Sequence, residues 1–146
     1  MKPEKCKGCP LEEAPGPVWG NGPAGAKMAL VGEAPGVEEV ASGFGFVGPA
    51  GRVLSVALHA AGVKRNECYV TNTVKCLPPK RGKSHAPTGA EVAFCKKAWL
   101  DEEMQHFEQG TVVAIGAVAF QGLTGIKGSI EEWRGAVIDE LGTERL

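Results

Sequence analysis

The chain has 146 residues, 43% of them apolar and 23% charged, with a net charge of −1. That is ordinary composition for one globular domain, and its longest apolar runs, such as Val112–Ile115, are too short to span a bilayer. The near-neutral balance does not advertise a nucleic-acid binder, although phosphate contacts depend on where basic residues lie rather than on their sum.

The N-terminus MKPEKCKGCP has no apolar core of a signal peptide, so an intracellular, cytoplasmic protein is expected. Residues 1–26 hold Cys6 and Cys9 among prolines and glycines, with too few apolar residues to fold alone. They read as an arm ordered by a metal within a single domain spanning 1–146. Lys27–Val31 is a short apolar run closed by the turn Gly32-Glu33-Ala34-Pro35-Gly36, which predicts a buried strand. A glycine-rich loop from Ser42 to Gly51 leads into a helix to about Ala61, with Leu54, Leu58 and Ala61 at helical spacing.

Cys68–Asn72 is the second predicted strand, rich in β-branched and aromatic residues. The loop from Val74 to Pro87 is proline-rich and basic. Thr88-Gly-Ala-Glu91 has the form of a capping box and opens a long helix to about Phe107. Thr111–Ile115 is the third strand, and a short helix starts at Ala117. Alternating strands and helices predict an α/β fold, a three-layer α/β/α sandwich around a short parallel sheet. In such sheets ligand sites gather beyond the strand C-termini, which singles out Gly32–Gly36, Asn72–Pro79 and the segment after Ile115.

Five cysteines without secretory context argue against a disulfide framework. Cys6-x-x-Cys9 is a chelating spacing that Cys76 and Cys95 can complete, tying the arm to the loop and long helix. Spacing alone leaves zinc and a [4Fe–4S] cluster equally open, and leaves buried apolar thiols as the bland reading of Cys76 and Cys95. Cys68, inside an apolar strand, reads as a core thiol. The basic run Lys75, Lys80, Arg81 and Lys83 lies beyond a strand end, where it can meet phosphates; its bland reading is a solvated loop.

Taken together, Cys6-x-x-Cys9, Gly32-Glu33-Ala34-Pro35-Gly36, Gly45-Phe46-Val47-Gly48-Pro49-Ala50-Gly51, Thr71-Asn72-Thr73-Val74-Lys75-Cys76-Leu77-Pro78-Pro79 and a helical Cys95 resemble the family-four (iron–sulfur) uracil-DNA glycosylases. The order and spacing match over about residues 6–116. Departures are Gly45 where the family has proline, Pro49 where it has a basic residue, and Glu38-Glu39-Val40 closing the first motif. The stretch from Trp133 to Leu146 holds no H-P-S/A motif, so the family's C-terminal strand and histidine are expected to be missing, a partner chain being one source for them.

The resemblance implies a [4Fe–4S] cluster on Cys6, Cys9, Cys76 and Cys95 rather than zinc, and single- or double-stranded DNA containing uracil as substrate. It implies Phe46 as a stacking wall for a flipped base, Asn72 as the reader of uracil N3–H and O4, and Ala34 beside them. Glu33 is implied to orient water and stabilise the positive sugar, and Glu39 to face uracil C5 against thymine's methyl. The expected activity is hydrolysis of the uracil–deoxyribose bond in base excision repair. The alternatives are a non-catalytic, cluster-bearing module that binds DNA or a partner, and a zinc-stabilised nucleotide-binding domain. Intact Glu33, Phe46 and Asn72 favour the enzyme; the missing motif favours the module.

Overall fold

Each of the three predicted strands forms, shifted by no more than a residue at either end: β1 Met28–Gly32, β2 Tyr69–Asn72 and β3 Thr111–Ala114, in a computed structural model that describes residues 1–138. They pair in parallel in the order β2-β1-β3, with Leu30 opposite both Val70 and Val113. The helices are α1 Val37–Ser42, α2 Pro49–Ala60, α3 Gly89–Cys95, α4 Asp101–Gln105, α5 Ala117–Thr124 and α6 Ile130–Trp133. Among the described residues no helix is long and apolar enough to cross a membrane.

Strand alternation sends side chains to two faces. Ala29 and Val31 pack with Leu100, Phe107 and Ala119 on the side of α4 and α5. Leu30, Cys68 and Val70 pack with Leu58 and Phe46 on the side of α2. The three layers are therefore helix, sheet and helix, as the sequence predicts. Each fully buried Leu or Val contributes about 1.5–3 kcal/mol, and Leu30, Val31 and Leu100 are all at 1% exposure or less.

Thr88 opens α3 as a capping box: its hydroxyl accepts from the Glu91 amide at 3.3 Å, and the Glu91 carboxylate accepts from the Thr88 amide at 2.7 Å. Two features were not expected from the sequence. The short helix α1 precedes the glycine-rich loop, and Lys96–Leu100 forms a π-helical turn that joins α3 to α4. The wider turn rotates the helix face. Cys95 and Trp99 consequently belong to a cluster with Leu11, Val74 and Cys76, whereas Leu100 and Met104 pack on the sheet.

The arm runs antiparallel beside β2 and the loop after it. Asn21 and Val70 exchange backbone hydrogen bonds at 2.9 and 2.7 Å, Val18 N–H donates to Lys75 O at 2.8 Å, and Leu77 N–H donates to Pro15 O at 2.8 Å. This close approach needs glycine: a β-carbon on Gly22 would lie 2.6 Å from Tyr69 Cα.

Candidate functional site

The loops leaving β1 and β2 are zipped together. Gly32 O accepts from the amide and the hydroxyl of Thr73, each at 2.8 Å, and Glu33 O accepts from the Val74 amide at 2.9 Å. Above this join, Phe46 and Asn72 converge from distant parts of the chain. A β-carbon on Gly32 would lie 2.4 Å from Phe46 Cζ and 2.5 Å from Asn72 Oδ1, so only glycine lets the ring and the amide meet there. Asn72 is 4% exposed, yet its side-chain amide makes no hydrogen bond among the described residues. Neither amide atom is sealed from solvent without a partner. Since buried polar groups are usually paired, this amide is available to a ligand.

Phe46 has φ of 56°, the one positive φ outside glycine among the described residues. A bulky side chain there costs on the order of 1–3 kcal/mol and persists only when its surroundings over-determine it. Arg65, which the sequence reading passed over, holds one side: Nη2 donates to Phe46 O at 2.6 Å and Gly45 O at 3.1 Å, and Nη1 to Gly51 O at 3.2 Å. Glu39 holds the other. Its Oε1 accepts from the amides of Val47 at 3.0 Å and Gly48 at 2.7 Å, and its Oε2 from Gly36 at 3.1 Å. Backbone amides occupy both oxygens, so Glu39 clamps two loops together. Pro49 sits at the first turn of α2, where a missing N–H costs nothing.

Glu33 is exposed beyond β1, and partial burial of its carboxylate raises its pKa above the ordinary value. Ala34 packs on the cluster of Leu11, Val74, Cys76 and Cys95, which puts its methyl on the cysteine side.

The basic run divides in two. Lys75 is 1% exposed, and its three N–H protons have three acceptors: Glu103 Oε2 at 2.5 Å, Asn72 O at 2.6 Å and Thr71 Oγ1 at 2.7 Å. A buried, fully engaged ammonium cannot reach a phosphate, which corrects the sequence expectation for this residue. Burial pushes its pKa down while Glu103 pulls it back up. Arg81 is also committed, pairing both guanidinium nitrogens with Glu91 at 2.5 and 3.2 Å, where it pins the loop to α3. Lys80 and Lys83 are exposed and make no ion pair among the described residues.

Cys6, Cys9, Cys76 and Cys95 line one small cavity together with Lys2, Leu11, Val74 and Trp99, and Cys68 is not part of it. All five thiols are free. Amide N–H groups of Leu11 and Lys75 point at Cys9 Sγ and Cys95 Sγ, each at 3.3 Å. Desolvation pushes the Cys76 thiol up and the Cys95 thiol to about 11. Among the described residues no three Cys, His, Asp or Glu side chains are arranged to hold a single metal ion. A separate recess of about 630 Å³ between arm and proline loop, lined by Leu11, Pro15, Leu77, Pro78 and His85, does not include Phe46 or Asn72. The expectation about the C-terminal strand and histidine motif is drawn from the stretch Trp133–Leu146, of which residues 139–146 lie outside the described residues.

The sequence pattern of the Uracil DNA glycosylase superfamily matches residues 19–142. A type-4 uracil-DNA glycosylase of Thermotoga maritima is 37% identical over 98% of this chain and 73% of its own length. Those of Pyrobaculum aerophilum and Archaeoglobus fulgidus are 33% and 35% identical, over 92% and 80% of this chain and 67% and 57% of their own lengths. With both the family pattern and relatives of this similarity covering most of its residues, the chain belongs to the uracil-DNA glycosylase superfamily.

Proposed function

We propose that the chain hydrolyses the N-glycosidic bond of uracil in DNA, releasing the base and leaving an abasic site, as part of base excision repair inside the cell. The observation that carries this is the meeting over Gly32 of Phe46 and the Asn72 amide, which has no side-chain partner among the described residues. A base flipped from the stack needs a π-face to lie on and a polar edge to read it. Phe46 supplies the first. Asn72 Oδ1 accepts from uracil N3–H and Nδ2 donates to O4; cytosine reverses this pattern and would leave both groups unpaired, a strong basis for rejection. Glu39 and Arg65 hold Phe46 in place.

As the C1′–N1 bond breaks, positive charge grows on the sugar and negative charge on uracil. Glu33, exposed beside the strand end, stabilises the sugar and orients the water whose oxygen bonds to C1′. Its proton passes to Glu33 or solvent, and the departing uracil is protonated from solvent. Lys80 and Lys83 are the phosphate contacts of the basic loop.

Cys6, Cys9, Cys76 and Cys95 are the ligands of a [4Fe–4S] cluster. The donor set is four thiols around one enclosed cavity, with amide N–H groups directed at two of the sulfurs. Tetrahedral zinc, with Zn–S of about 2.3 Å, draws four sulfurs closely together. Four thiolates are also the donor set of a cubane, and it is the resemblance of the motifs that favours the cluster. When bound, the cluster supplies a cross-link between the arm and the Cys76 loop.

The test is a uracil-containing oligonucleotide incubated with the protein and treated with alkali, which should cut at uracil, first in single-stranded or mismatched substrate. Asn72→Asp should weaken rejection of cytosine, and Glu33→Ala should slow release with little change in DNA affinity. DNA binding with no release from any uracil substrate would make the non-catalytic module the correct reading.

A further inference from the structure

The pair Lys75–Glu103, its lysine buried and its carboxylate partly so, lies on the face of β2 opposite Phe46. Glu103, on α4, accepts from Lys75 Nζ at 2.5 Å, from Tyr69 OH at 3.0 Å and from Thr71 Oγ1 at 3.2 Å. Lys75 in turn donates to Thr71 Oγ1 and to Asn72 O. One ion pair therefore grips three of the four residues of β2, including the backbone of Asn72, whose side-chain amide lies above Gly32.

Stability alone is a poor reason for such a pair. Desolvating two charges costs several kcal/mol per ion, and replacing a buried pair by neutral residues of similar volume is often harmless to folding. Positioning is a better one. Asn72 has no side-chain partner among the described residues to orient it, so its aim depends on where its backbone is held. Misplacing a recognition group by about 1 Å can cost about 100-fold in rate. We infer that Lys75, backed by Glu103, is a positioning residue that sets the aim of Asn72, carrying the rigidity of the long helix to the base-reading end of β2. This rests on the proposed reading of Asn72.

The test compares the wild type with Lys75→Met/Glu103→Gln, which removes both charges while leaving a side-chain amide oxygen on α4 to accept from Tyr69 and Thr71. Single-turnover uracil release should fall by about 10- to 100-fold, with visible absorbance and the salt dependence of DNA binding unchanged. In an Asn72→Ala background the same pair of changes should cost less than about threefold, because a residue acting through Asn72 has nothing left to aim. Deuterium exchange should quicken in peptides covering residues 69–74 and stay constant in those covering β1. Equal losses in both backgrounds, or a full rate together with unchanged exchange, would overturn the inference. A wild type that releases no uracil would remove the glycosylase reading, and exchange alone would then decide whether the pair fixes Asn72.

Discussion

Arg65 Nη2 donates to the Phe46 carbonyl oxygen at 2.6 Å, joining the segment ahead of β2 to a residue whose backbone is left-handed. A charge-assisted bond of this kind is worth about 1.5–3 kcal/mol, comparable to the conformational cost it offsets. Arg65→Met is expected to lower stability by about 1–3 kcal/mol, read from urea unfolding, and to slow uracil release by about tenfold or more. A variant with the wild-type rate would show that Phe46 keeps its place without this anchor.

Two glycines separate packing from propensity. A β-carbon on Gly51 would lie 1.8 Å from Phe46 O, whereas one on Gly89 meets nothing within 4 Å. Gly51→Ala is expected to cost more than about 2 kcal/mol, because backbone must move. Gly89→Ala, in the first turn of α3, should be neutral or stabilising by up to about 1 kcal/mol. Thermal unfolding of the two single variants checks the contrast.

The divided basic loop predicts a divided response to salt. Replacing Lys80 and Lys83 together by Ala should reduce the slope of log affinity against log salt by about 0.9 for each lost phosphate contact. Arg81→Ala should leave the slope nearly unchanged and instead loosen the loop, since its guanidinium is paired with Glu91. A slope that responds to Arg81 but not to the lysines would reverse the assignment.

Glu91 gives an acid limit. Burial opposes its ionisation, but the Arg81 guanidinium and the Thr88 amide outweigh that and hold its pKa below the ordinary carboxylate value. A depressed folded-state pKa contributes stability that is present above the unfolded-state value and is lost as pH falls through the folded one. Stability measured downward from neutral pH should therefore decline more steeply in the wild type than in Glu91→Gln. Parallel curves would show that Glu91 contributes nothing to the acid limb.

Cysteine replacement should sort the thiols four to one. Cys68 lies against Lys64 O, and burial followed by the nearby Glu67 charge raises its pKa. Cys68→Ala should keep the iron content and brown colour of anaerobically purified protein, while Ser at position 6, 9, 76 or 95 should diminish both. Iron loss on Cys68→Ala alone would redraw the ligand set.

The legible parts of this molecule are those whose signals are local or follow from topology. Thr88 and Glu91 cap α3 across three residues, and strand alternation sorts Ala29 and Val31 from Leu30. Phe46 and Asn72 meet because parallel strands deliver their C-terminal loops to one edge. Lys75 misled because a lysine in a proline-rich loop resembles a solvent-facing residue, while its partner Glu103 sits on another element. Arg65 gave no signal because what it binds is backbone, which carries no side-chain signature, and the same holds for the clamping bonds of Glu39. The π-helical turn at Lys96–Leu100 widens a helix without disturbing its composition, so nothing in the sequence separates Trp99 from Leu100, which serve different chambers.

β2 is the outermost strand of the sheet on its side, but its free edge is not bare: the arm occupies it from Val70 to Leu77. That cover has little apolar anchorage of its own, chiefly Leu11 and Val18, and its first turn carries Cys6 and Cys9. If the proposed cluster is what pins that turn, its loss uncovers a row of backbone donors and acceptors able to template pairing with a second copy. Oxidative damage at the cysteines would thus first be seen as turbidity, a colloidal failure starting some distance from the residues that read the base.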